Sequence, residues 1–413
     1  MTFYRIFLLA ILMACTSSCY KETIEFECQR EVYDLIMSTD IYETILESRD
    51  SVITVEGIDL ELFYNGIPVE IKKIRTRGKS ALRYRRKSFS VFLDHSILTH
   101  NHSEKEIKRL DHFKLLSMSM DYTYIENRIG LGILAEAEVM PLLYRYVELR
   151  INGETQGIYM LLEDPEEYCK EKGSEFVIRR GYNHHMMDTE FEPGLYQIPM
   201  ERYEDRFLEV YDNLAILQGE ALYNMINARI NLNQYFRKMG IDYLLKNGDS
   251  TDEVYFYSTI LNDNIRYLVL PWDYDDLFST KPHEVGRTWG RGTVFGVRPY
   301  PTLQDIYDEI GDKLIYSIED DLDYAIAMDS FLYAQYETTL INMFEKIDDS
   351  FIASLFDQIE KELDPYYFNI ELTRQSEYDL DSTNLDLWKS NMMEKKAFLE
   401  DRLQAMKNQL NQP

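Results

Sequence analysis

Apolar and polar residues alternate from Val52 to Phe63, the period-two pattern of a strand with one face buried. Asn65-Gly66 supplies a turn before a second such run, Val69 to Ile74. Phe89 to Leu93 and His112 to Leu116 read as further short strands. Between Tyr122 and Glu138 the apolar spacing changes to a helical period through Ile125, Ile129, Ile133 and Leu134, and Pro141 ends it. Tyr144–Ile151 and Gly157–Leu162 flank Asn152-Gly153 and predict a hairpin. Beyond that point the pattern is mostly helical. Leu232 to Lys246 is one helix, and only the hairpin of Val254–Leu261 and Ile265–Leu270 interrupts. Gln304 to Leu410 is acidic, amphipathic and almost free of glycine. A strand-rich half containing one helix, followed by a helix-rich half, predicts a two-lobed α+β protein.

The expected boundaries follow. Residues 1–19 form a secretory leader region, 20–50 a short N-terminal segment, 51–163 a strand-rich N-lobe and 164–413 a helical C-lobe. In the leader, Arg5 precedes the apolar run Ile6–Ala14, which then meets Cys15. Spanning a bilayer takes about 20 apolar residues, so this run is too short for a transmembrane helix. Leu12-Met13-Ala14-Cys15 resembles a lipobox and makes Cys15 the expected lipidated residue; Cys19 is the competing site, and plain secretion the simpler alternative. Two lipid chains would hold the chain at a membrane surface. The expected location is therefore outside the cytoplasm, lipid-anchored to a bacterial cell envelope. The remaining cysteines, Cys28 and Cys169, permit one disulfide and suggest no zinc site.

Composition removes other classes. With 413 residues and 45% hydrophobic content the chain can bury substantial cores. Its 72 Asp plus Glu outnumber 44 Lys plus Arg, a net charge of -28 that repels phosphate backbones and argues against a nucleic-acid partner.

Against that background three charged clusters stand out. Asn247-Gly248-Asp249, with Asp252 and Glu253 just beyond, precedes the second hairpin, and Pro271-Trp272-Asp273-Tyr274-Asp275-Asp276 follows it. Hairpin ends meet, so Asp249 and Asp273 should lie close together. Paired carboxylates repel unless a cation or proton intervenes, and Mg²⁺ accepts one or two carboxylates together with phosphate and water oxygens. Solvated acidic loops are the plainer reading. The third cluster is basic: Arg75, Arg77 and Lys79, then Arg83, Arg85, Arg86 and Lys87. It demands an anionic partner, either a phosphate ligand or the protein's own acidic lobe. It is not a Walker A loop, because the upstream glycine is missing.

In this order the segments resemble the CotH kinases, the spore-coat-protein-H-like atypical protein kinases. The likeness rests on Arg75-Thr-Arg-Gly-Lys-Ser80 with Arg86-Lys-Ser-Phe89, on Leu115-Leu116, Asp121 and Ile125-Glu-Asn127, and on Val147–Gly153 with Gly157–Glu163. It continues in Asn247-Gly-Asp249, Leu270-Pro-Trp-Asp-Tyr-Asp275, Phe331–Tyr336 and Phe398–Arg402. The resemblance implies a protein-kinase-like fold that transfers phosphate from ATP, with Mg²⁺ or Mn²⁺, to Ser or Thr hydroxyls of a protein substrate. Lys87 would grip nucleotide phosphates with help from Arg77, and Leu161 to Glu163 would border the adenine. Asp249 would orient the acceptor hydroxyl, while Asp273, with Asp275 second, would bind metal. Two positions depart from the pattern. Val254 stands where kinases carry a metal-binding Asn, and Asp276–Ser279 lacks the usual glycine. The alternative is thus a pseudokinase or a non-catalytic surface lipoprotein that acts as a binding scaffold. A carboxylate-pair glycosidase would leave the basic cluster unexplained.

Overall fold

The computed structural model describes residues 30–411, apart from 79–80, 101–106, 122, 140–141, 181–185, 191–197, 252–253, 262–263, 288–293 and 368–384. The leader, Cys15, Cys19, Cys28, Lys79, Ser80, Pro141, Asp252 and Glu253 therefore lie outside the described residues.

The N-terminal lobe is one curled sheet. Its strands are β1 (Val32–Met37), β2 (Thr54–Glu56), β3 (Leu60–Tyr64), β4 (Ile67–Val69), β5 (Ile71–Arg77), β6 (Ser88–His100), β7 (Ile107–Leu116), β8 (Tyr144–Ile151) and β9 (Glu154–Glu163). They are ordered β2-β5-β6-β7-β9-β8-β1-β3-β4. Helix α1 (Thr39–Glu47) follows β1, and α2 (Glu126–Glu136) connects β7 to β8. The β8–β9 hairpin forms where expected, with Asn152 and Gly153 at φ of 54° and 80° in its turn. Val52–Phe63 is not one strand. The chain breaks at Gly57, where a Cβ would lie 1.9 Å from the Ile71 carbonyl oxygen, and β2 and β3 join different neighbours. The segment ahead of residue 51 also contributes more than a lead-in, because β1 runs parallel to β8 inside the sheet.

The C-terminal lobe contains α3 (Pro165–Glu171), α4 (Met200–Leu214), α5 (Gly219–Arg229), α6 (Leu232–Leu245), α7 (Leu303–Ile310), α8 (Asp321–Met328), α9 (Ser330–Met343), α10 (Asp349–Tyr367) and α11 (Leu385–Leu410). Its small sheet is ordered β11-β10-β12-β13, formed by β10 (Phe176–Arg180), β11 (Met186–Glu190), β12 (Val254–Leu261) and β13 (Asn264–Pro271). The strand-rich lobe followed by a mainly helical one is the expected α+β arrangement. Among the described residues no helix is long and apolar enough to cross a membrane.

Two cores lie on opposite faces of the large sheet. Phe89, Val91, Phe113, Leu115 and Leu161 pack with Ile45 of α1 on one face. Leu116, Met160 and Leu162 pack on the other with α2 and the C-terminal helices. Strand alternation therefore decides which side chains can face the second lobe. Cys169 is a buried free thiol in α3, its pKa pushed up by burial.

Candidate active site

Helix α6 ends at Lys246, whose left-handed φ of 50° turns the chain into Asn247-Gly248-Asp249. Asp242, one turn back in α6, organises this corner. Its carboxylate pairs with Lys238 at 2.8 Å and accepts from Asn247 Nδ2 at 3.2 Å and from the Tyr274 hydroxyl at 2.9 Å. Lys238 also donates to the Ser250 carbonyl at 2.7 Å, so both flanks of Asp249 are tied to the helix.

Strands β12 and β13 pair from Val254↔Pro271 to Leu261↔Asn264. That register returns the chain beside Asp249 as Trp272-Asp273-Tyr274-Asp275, and Asp273 takes a left-handed φ of 53°. Tyr274 is buried, while Asp273 and Asp275 are partly exposed. Asp249, Asp273, Asp275 and Asp276 come together closely enough to perturb one another. Burial and then the charges of Asp273, Asp249 and Asp276 push Asp275 well above the usual carboxylate range. Asp273 is also raised, by burial and Asp249, against the opposing pull of Arg77 and Arg179.

Arg77, the last residue of β5, reaches this cluster from the other lobe. Its Nη2 lies 4.0 Å from Asp273 Oδ2, and its guanidinium sits 5.2 Å from the Trp272 ring centroid. At that separation the pair is an attraction between charges and not a hydrogen bond. Trp272 itself is a buried core residue, edge-on to Tyr255. The same sheet face carries Ser90 and Lys114, which oppose each other across β6 and β7. Lys114 Nζ is 3.1 Å from Ser90 Oγ and forms an ion pair with Asp164, and burial lowers its pKa.

Lys87 has the opposite orientation. It shares the parity of Phe89 and Val91, and its buried ammonium donates to the carbonyls of Ser48, at 3.0 Å, and Leu82. The structure thus brings Arg77 to Asp273 but directs Lys87 towards the end of α1. Leu161 likewise points into the core on α1's side, and Leu162 into the other. Glu163 accepts from Lys108 Nζ and from the Leu143 backbone N–H, both at 2.8 Å, where the chain leaves the large sheet. Val254 is fully buried in the core.

One family model, described as CotH kinase protein, matches residues 74–406. The chain belongs to the CotH kinase family. Among curated proteins no relative matches it. The family match spans both sides of the site, from β5 with Arg77 to the C-terminal helix.

A CotH kinase-like protein suggests ATP and a divalent cation, and the donor set bears on both. Among the described residues no group of three or more His, Cys, Asp or Glu is arranged to hold a metal unaided. Asp273 and Asp275, two carboxylates that repel each other beside an arginine, instead suit a cation that shares its shell with phosphate and water. The residues fit an ion that arrives with nucleotide.

Sequence reasoning missed Lys114, Arg179 and His283. Lys114 becomes visible only through strand pairing. Arg179 lies on a strand that the pattern did not reveal. His283 Nδ1 is 2.7 Å from Asp249 Oδ1, and this bond raises the imidazole pKa above its ordinary value. No motif or spacing marks it. A hollow of about 780 Å³ over Leu62, Phe63, Ile71 and Lys72 of the large sheet shares none of these residues.

Proposed function

We propose that this CotH-family chain is an extracytoplasmic, lipid-anchored protein kinase that transfers phosphate from ATP to Ser or Thr hydroxyls. The observation that carries the reading is the approach of Arg77, from one lobe, to Asp273, from the other, beside Asp249 and Asp275. Phosphoryl transfer requires in-line positioning and compensation of charge on the phosphates. Arg77 and Lys114 carry the positive charge on the N-lobe face, a role that the motif alone would give to Lys87. Asp273 and Asp275 would hold Mg²⁺ or Mn²⁺, which supplies neutralisation of charge on the transferred group. Asp249 orients the acceptor hydroxyl and takes its proton. Cys15 provides the anchor, and the acceptor is a protein.

The test is thermal shift with ATP, with and without Mg²⁺ or Mn²⁺, followed by transfer of labelled phosphate. Nucleotide at 100 times its dissociation constant should add about 2.7 kcal/mol of stability. No shift with any cation overturns the nucleotide reading. Palmitate labelling lost in Cys15→Ser supports the anchor, and loss only in Cys19→Ser moves it.

The buried Val254 favours a second reading. It occupies the position of a metal-binding Asn with an apolar core side chain. A pseudokinase scaffold would bind ATP, transfer nothing, and gain activity in Val254→Asn.

A further inference from the structure

The loop after Asp275 folds back on the Asp249 loop through four backbone hydrogen bonds. Gly248 N–H donates to Asp276 O at 2.8 Å, Phe278 N–H to Leu245 O at 2.8 Å, Ser279 N–H to Lys246 O at 3.1 Å and His283 N–H to Gly248 O at 2.9 Å. Two segments linked four times in this way cannot slide independently. The last of these bonds sets the His283 backbone beside Asp249, and the side chains close the remaining gap at 2.7 Å. The His283 and Asp249 side chains are 37% and 32% exposed, so the pair lies at a surface that an incoming hydroxyl can reach. Arg287 and Glu319 also face the imidazole, and Asp276 faces both partners.

We propose that His283 is a positioning residue for Asp249, holding one carboxylate oxygen so that the carboxylate plane stays turned to the acceptor hydroxyl. The inference rests on the reading that Asp249 orients that hydroxyl. The Asp χ2 torsion is broad and two-fold, so an unrestrained carboxylate samples many planes. Transfer demands reacting atoms about 3–3.5 Å apart and aligned, and one strong bond removes most of that freedom. Imidazole suits the task because it is rigid, with less rotamer entropy to lose than Lys or Arg. A proton on Nδ1 donates in the neutral ring as well as in the cation, so Asp249 can stay ionised to accept the hydroxyl proton. The bond also holds Asp249 against repulsion from Asp273 and Asp275.

The experiment compares full-length wild type, His283→Ala and His283→Asn with Mn²⁺-ATP and casein as acceptor. Asn retains an N–H donor near the Nδ1 position. In His283→Ala, kcat should fall about 10–100-fold, the scale of a lost alignment. Its KM for ATP and its ATP-induced thermal shift should stay within about twofold of wild type. His283→Asn should recover most of the lost kcat. Wild-type kcat in His283→Ala, or equal loss in both variants, overturns the positioning role alone. A wild type that transfers nothing overturns the reading of Asp249 and this role with it.

Discussion

The side-chain oxygen of Asn127, in the first turn of α2, accepts a hydrogen bond from the backbone N–H of Tyr274 at 3.2 Å. Its neighbours serve the same loop. Glu126 lies near the Leu277 backbone, which favours its ionised form, and at Gly130 a Cβ would lie 2.7 Å from the Tyr274 ring. Lys395 and Trp388 of α11 brace this end of α2 from behind, through Glu126 and the Thr123 carbonyl. One helix of the N-lobe thus fixes the segment that carries Asp273 and Asp275.

Asn127→Leu should leave the Tyr274 N–H buried without a partner, a loss of about 1–3 kcal/mol. It should also weaken the metal-dependent thermal shift with ATP, because the aspartates lose their register. Urea denaturation and the nucleotide titration check the two effects separately. An unchanged midpoint with an unchanged nucleotide response would refute the bracing role.

Arg77→Ala should weaken ATP binding more than Lys87→Ala. Arg77 shares the face that meets Asp273, whereas Lys87 bonds two carbonyls near α1. Lys87→Ala should instead destabilise the N-lobe by about 1–3 kcal/mol, since those acceptors lose a buried donor. Isothermal titration and denaturation of both variants decide. A greater loss of affinity in Lys87→Ala restores the motif-based assignment.

Asp275→Asn should stabilise the metal-free protein at neutral pH. Its folded pKa is raised by burial and by Asp273, Asp249 and Asp276. A carboxyl with a raised folded pKa contributes stability that is full below its unfolded value, about 3.9. That contribution is lost as pH rises through the folded value. At pH 7.5 the Asn variant should melt about 1 °C higher, the shift that about 1 kcal/mol produces in a chain of 413 residues. The difference should shrink towards pH 4. A lower melting temperature than wild type at both pH values sinks the account.

Gly248→Ala should disturb the site through sterics alone. The added Cβ would lie 2.2 Å from Asp276 Oδ2 and 2.9 Å from Ser279 Cβ, within the backbone ladder that joins the two loops. Overpacking of this kind costs about 1–3 kcal/mol. Thermal melts and transfer assays should both fall. Wild-type values in both would show that the loops part without consequence.

Asn152-Gly153 between the runs Tyr144–Ile151 and Gly157–Leu162 was enough to read the β8–β9 hairpin. The spacing of Asp249 and Asp273 around β12 and β13 was enough to bring the two acidic loops together. Both relations are local, because each pair of strands is consecutive in the chain and antiparallel. The motifs from Arg75 to Arg402 also sufficed for the family, because their order survives without knowledge of packing.

Only the tertiary structure decided which basic residue meets the aspartates. Alternation separates Lys87 from Arg86 and Ser88, but it does not say which face of the sheet confronts the second lobe. Burial of Phe89, Val91 and Phe113 against α1 settled that, turning Lys87 away and leaving Arg77 and Lys114 on the facing side. β1 joined the sheet for a similar reason, since its parallel partner β8 lies far along the chain. His283 reached Asp249 through backbone bonds between two loops, which no residue spacing encodes. Sequence patterns report what neighbours along the chain can do; contacts between distant segments depend on which apolar faces bury each other first.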